Sequence, residues 1–153
     1  MATHRFRPRY RGVAWTSVGV GGSLAVVAAS VGFVMLPLVT GAIGVAAGAA
    51  YLASPTWRLA VTIDDGGLEV GTAKRRRFRL AWADVVRVVA APTSSTCFVD
   101  GGAPERSLLV PGDGAPAPYD IEDRPGLVQA ILARVPASKV QTVASLEQAP
   151  PAP

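Results

Sequence analysis

Groups able to do chemistry are few in this chain, and they are scattered. Its 153 residues include one histidine, His4, and one cysteine, Cys97. A single cysteine permits no intramolecular disulfide, and the only histidine sits within the first few residues. Nucleophilic catalysis requires a nucleophile beside a base, and the central part of the chain has neither a second histidine nor a cysteine–histidine pair. Enzymatic activity is not expected, and no cofactor or metal centre is implied. Cys97 falls in a stretch that reads as a strand, where a thiol usually serves as a small buried hydrophobe. Asp64 and Asp65 precede Gly66 and Gly67, a combination that favours a tight turn over a metal site. Asp120, Glu122 and Asp123 suit the positive end of the helix expected after them.

The densest cluster of like charge is Lys74, Arg75, Arg76, Arg77 and Arg79. Such a run near a bilayer would meet anionic headgroups, each basic residue contributing about 1 kcal/mol. It could equally be a solvated loop that only enforces topology. The net charge of +4 does not point to nucleic acid. Arg5, Arg7, Arg9 and Arg11 supply all of it, and from Arg58 onward 11 basic residues meet 11 acidic ones.

What positions these residues is decided by the stretch from Gly12 to Trp57, 46 residues without a charge or a histidine. One crossing of a bilayer needs about 20 helical residues, so the stretch accommodates two. The spans are expected near Gly12–Phe33 and Pro37–Ala53, with the turn around Met35–Thr40. Pro37 suits a first helical turn, where its missing N–H has no intrahelical partner. Arginines before the first span, and Arg58 with the Lys74–Arg79 run after the second, place both termini in the cytoplasm by the positive-inside tendency. Tyr10, Trp15, Tyr51 and Trp57 flank the spans as interface anchors. Ser17, Gly21, Ala25 and Ala29 recur at four-residue spacing, and Gly41, Gly44 and Gly48 share a face, so the helices are expected to pair with each other. Two rival readings are weaker. A cleavable secretory signal ending near Ala28, Ala29 and Ser30 would be followed by polar sequence, not by a second apolar segment. A soluble buried hairpin would need more cover than the small remaining domain can give.

After Trp57 the pattern alternates. Trp57, Leu59, Val61 and Ile63 line one face of a strand, Asp64–Gly67 make a turn, and Leu68 and Val70 continue on a second. Phe78, Leu80 and Trp82 alternate, Val85–Ala91 is rich in β-branched residues, and Thr96–Val99 and Arg106–Val110 add two strands around a turn at Asp100–Gly102. A short extended segment surrounds Tyr119 and Ile121. Leu127, Val128, Ile131, Leu132 and Val135 share a helical face, with Asp123 as cap, Pro125 in the first turn and Pro136 beyond. The expected organisation is a basic cytoplasmic tail over residues 1–11, a transmembrane hairpin over 12–56, a β domain with a C-terminal helix over 57–136, and a tail over 137–153, Pro-rich at its end.

The fold class is that of an α+β membrane protein. The order of elements resembles the bacterial membrane-anchored pleckstrin-homology-like (PH-like) proteins, on the stretch Val61–Leu68 with TIDDGGL at its centre, on FRLAWADVVRV from Phe78 to Val88, and on the helix Pro125–Val135. The resemblance implies a bent antiparallel sheet, or partly open barrel, with a helix across one end. In eukaryotic relatives the fold can bind phosphoinositides through basic residues in the loop joining the first two strands. That loop is expected here at Asp64–Gly67, whose acidity would repel phosphate, so lipid-headgroup binding is not carried over, and fold alone does not fix function. The expectation is a noncatalytic membrane-tethered interaction module in the bacterial cytoplasmic membrane. Its partners would be the lipid bilayer and a protein, with no nucleic acid, and homo-oligomerisation is left open. The alternative is a small accessory subunit of a transporter or envelope complex acting mainly through its hairpin.

Overall fold

Two apolar helices are built from the uncharged stretch: α1 over Arg11–Ser30 and α2 over Met35–Leu52. Both are long and apolar enough to cross a membrane. The computed structural model describes residues 2–32 and 34–146, and it separates residues 8–55 as one compact unit from a second unit of residues 2–7 and 56–146. The helices meet through backbone. Ala14, Gly21 and Ala28 are the buried positions of α1, and Gly41 and Gly48 those of α2. A Cβ placed on Gly21 would lie 2.7 Å from the Gly41 carbonyl oxygen, and one on Gly48 would lie 2.7 Å from that of Ala14. The small residues thus permit the close approach on which helix pairing in lipid depends. Ser17 Oγ donates to the Gly44 carbonyl at 2.9 Å, and the Tyr10 N–H donates to the Tyr51 hydroxyl at 2.9 Å. The turn lies earlier than expected. Helix α2 already begins at Met35, so Pro37 falls in its first turn, as its lack of an N–H allows.

The second unit holds nine strands and one α-helix among the described residues. Strands β1 (Ala2–Pro8), β2 (Ala60–Ile63), β3 (Gly67–Gly71), β4 (Arg76–Ala81) and β8 (Tyr119–Ile121) form a sheet in the order β4-β3-β2-β1-β8. Strands β5 (Arg87–Ala91), β6 (Thr96–Asp100), β7 (Leu108–Val110) and β9 (Val140–Thr142) form another, ordered β7-β6-β5-β9. Neighbours from β1 to β4 and from β5 to β7 are antiparallel, whereas β9 runs parallel to β5. Alternation selects the core: Val61 and Ile63, Leu68 and Val70, Leu80, Val88 and Ala90, Cys97 and Val99, Leu108 and Val110 turn inward. Helix α3 (Arg124–Leu132) closes the cluster with Leu127, Val128 and Ile131. Asp123 caps it, accepting from the Gly126 N–H at 3.3 Å.

Three boundaries differ from the sequence reading. The segment expected as a basic tail over residues 1–11 contains a strand: Ala2–Pro8 lies inside the sheet between β2 and β8. His4 and Phe6 face inward and Arg5 and Arg7 outward, so arginines that look like a topology signal also complete a two-residue alternation. Residues 137–142 are likewise structured, as a 3₁₀ turn at Ala137–Lys139 followed by β9, with Lys139 Nζ donating to the Val85 carbonyl at 2.6 Å. The Pro-rich end, Gln148–Pro153, lies outside the described residues. Trp82, expected on a strand, stands in a 3₁₀ turn where its indole N–H donates to the Asp64 carbonyl at 3.1 Å.

Candidate functional site

The sheet unit holds a cleft of about 860 Å³. Its walls include Leu59, Phe78 and Tyr119 from around the five-stranded sheet and Phe98 and Leu109 from the four-stranded one. That size falls within the range of ligand-binding clefts, and the lining is of the apolar, aromatic kind they share. Phe6 anchors one wall, its ring centroid 5.0 Å from that of Tyr119. The Tyr119 hydroxyl donates to the Leu109 carbonyl at 3.1 Å. Burial pushes the Tyr119 phenol above its usual pKa, against an opposing pull from the charge of Arg77. Arg87 and Asp100 supply a polar patch, an ion pair at 3.4 Å between facing residues of β5 and β6. Phe98 and Leu109 sit one position out of step with the core residues Cys97, Val99, Leu108 and Val110, and this offset marks their wall of the cleft in the sequence.

The basic run folds into the β3–β4 hairpin. Thr72 and Arg75 close its turn, with the Thr72 N–H donating to the Arg75 carbonyl at 2.8 Å. Lys74, Arg75, Arg76, Arg77 and Arg79 are all exposed, but they are not equivalent. Arg76 pairs with Glu69 at 3.0 Å, and Arg79 with Asp64 at 3.1 Å. Among the described residues no carboxylate lies within ion-pair distance of Lys74, Arg75 or Arg77. Of the four aromatic residues expected at an interface, Tyr10 and Trp15 are exposed, Tyr51 is partly covered and accepts from Tyr10, and Trp57 lies in a 3₁₀ turn at Pro55–Arg58.

Asp64, Cys97 and His4 each have a structural setting. Asp64 Oδ1 accepts from the Gly66 and Gly67 N–H groups at 2.8 Å each, which is the work of a turn. Cys97 is fully buried, and burial pushes its thiol up to about 12, so it is a poor nucleophile. His4 Nδ1–H donates to the Glu122 carbonyl at 3.1 Å, tying β1 to the residue after β8. No group of three or more His, Cys, Asp or Glu side chains able to hold a metal ion occurs among the described residues. The loop between the first two strands of the sheet is also relocated. With β1 at Ala2–Pro8, the first two strands are joined by the helical segment, and Asp64–Gly67 joins the second and third. Comparison of this chain with family profiles, with curated proteins and with solved structures gives no match.

Proposed function

We propose that this chain is a noncatalytic, membrane-tethered interaction module. In this reading α1 and α2 cross the bacterial cytoplasmic membrane as a hairpin, and a PH-like sheet unit acts on the cytoplasmic side, receiving an apolar segment of a protein partner in its cleft. The observation that carries the reading is the surface of the helical pair. Its inner faces are Gly and Ala in backbone contact, while Val13, Val20, Val26, Val31, Leu36 and Ile43 point outward and are exposed. Water would penalise that surface at roughly 25 cal/mol per Å², and hydrocarbon would not.

Connectivity supports the topology. The hairpin leaves the chain after β1 and returns at β2, and those strands are hydrogen-bonded neighbours with Arg5 facing Ala60. A folded sheet cannot straddle a bilayer, so both outer helix ends would emerge on one side, and the basic residues around them favour the cytoplasm. Two sheets followed by α3 packed on their common core fit the bent-sheet-and-helix plan of PH-like domains, with β8 and β9 as additions. Alkaline carbonate extraction tests membrane residence, and reporter fusions at both ends test sidedness. Release of the protein into the supernatant, or reporters active outside the cytoplasm, would refute the proposal. A photo-crosslinker replacing Phe98 tests the cleft, and the partner should be captured there but not from Asp65.

A further inference from the structure

The strand register sorts the charges of the five-stranded sheet by end. Arg5, Ala60, Gly71 and Arg76 lie in one row across β1 to β4. Beyond that row, at the same end, come Arg7 and Pro8, where the chain departs for α1, and Arg58, where it returns. The β3–β4 turn, carrying Lys74 and Arg75, projects past the same row. At the opposite end Ile63 faces Leu68 across the turn of Asp64 and Asp65. Basic residues therefore gather where the helical segment is attached, whereas at the far turn Asp64 and Asp65 are matched by Arg79 and Arg134. Some of the charge is answered locally, since Glu122 pairs with Arg7 and Glu69 with Arg76. Among the described residues, Lys74, Arg75 and Arg77 have no carboxylate within ion-pair distance.

The geometry points to the Lys74–Arg77 tip of the β3–β4 hairpin as a docking surface for the anionic headgroups of the bilayer that holds α1 and α2. This rests on the reading that those helices span the membrane. Because the chain leaves the sheet after β1 and re-enters it at β2, both at this end, the tip is covalently tethered to the helices by short links, so contact needs no separate encounter and small electrostatic gains suffice. Arg79, further along β4 and engaged by Asp64, belongs to the sheet and not to this surface.

The test uses the full chain in lipid vesicles, with an environment-sensitive fluorophore at Ala73→Cys or, at the far turn, Asp65→Cys; both native positions are exposed, while the native thiol is buried. In vesicles containing phosphatidylglycerol the Ala73 probe should report a headgroup environment, and in pure phosphatidylcholine it should report water. The Asp65 probe should be indifferent to composition. Adding Lys74→Gln and Arg75→Gln should lower the docked-to-undocked ratio about 25-fold, at roughly fivefold per charge. Salt near 1 M, where the screening length is ~3 Å, should do the same. An Ala73 signal equal in the two lipids, or matched at Asp65, overturns the docking surface. Failure to float with vesicles of either composition overturns the membrane reading instead, so the two failures are distinguishable.

Discussion

The sharpest test of the helical unit is one methyl group, added by Gly41→Ala. The new Cβ would stand 2.5 Å from the Gly21 carbonyl oxygen, 2.9 Å from the Ala25 nitrogen and 3.1 Å from the Ala25 Cβ. Two of the three obstacles are backbone atoms, which cannot rotate aside. Unstrained contacts lie near 3.5 Å, so the helices must part by roughly 1 Å. A gap of that size forfeits about a quarter to a half of each ~0.1–0.2 kcal/mol contact, or about 1–2 kcal/mol over some tens of atom pairs. Loss of the hydrogen bond from Ser17 to Gly44 adds ~0.6 kcal/mol in a bilayer. The expected total is about 2 kcal/mol, roughly 30-fold in the paired-to-separated ratio.

Gly→Ala also raises helix propensity, and that gain must be removed from the comparison. Gly19 provides the reference, because a Cβ there meets nothing within 4 Å. Steric trapping of the full-length protein in bicelles measures both variants on one scale. Gly41→Ala should be the less stable by about 2 kcal/mol, and spin labels on α1 and α2 should show the wider spacing. Equal stabilities for the two variants would refute close backbone packing as the source of the pairing.

Other substitutions probe the sheet unit through chemical unfolding of the full chain in detergent. Phe6→Ala should cost about 3 kcal/mol, since Phe6 is buried against Tyr119, whereas a solvated N-terminal tail would register almost nothing. Asp64→Ala should cost about 1–2 kcal/mol by stripping the Gly66 and Gly67 N–H groups of their acceptor, and Asp64→Asn should restore most of it. Cys97 should resist maleimide until the protein is unfolded, as its burial requires. Its thiol, lifted from 9.0 to about 12 by burial, stays protonated when folded, so stability should fall as pH rises above 9, where only the unfolded chain ionises. Cys97→Ala should flatten that slope.

Legibility in the sequence followed the range of the interactions. The two apolar helices are local features, written in 46 charge-free residues, and the strands between Ala60 and Val110 are written in local alternation or, for β5, in a β-branched apolar run, neither of which needs a distant partner. β9 is only three residues long and pairs in parallel with β5, some fifty positions earlier, so no local signal marks it. The cleft escapes for a related reason. Phe98 and Leu109 become neighbours only because β6 and β7 pair, and Phe6 reaches the same wall only because β1 joins the sheet from across the whole helical segment.

β1 shows how one set of residues can satisfy two demands and reveal only one of them. Composition alone reads Arg5 and Arg7 as the positive flank that a membrane hairpin would need. The same residues alternate with His4 and Phe6, which lets the strand bury one face and keep the other wet. Because β1 then pairs with β2, the strand end where the chain leaves the sheet and the one where it re-enters are neighbours in a single sheet. The register that hides the strand from composition is thus what gathers Arg5, Arg58, Lys74, Arg75 and Arg76 at that end. A break in the β1–β2 ladder should therefore scatter the basic end as well as destabilise the core.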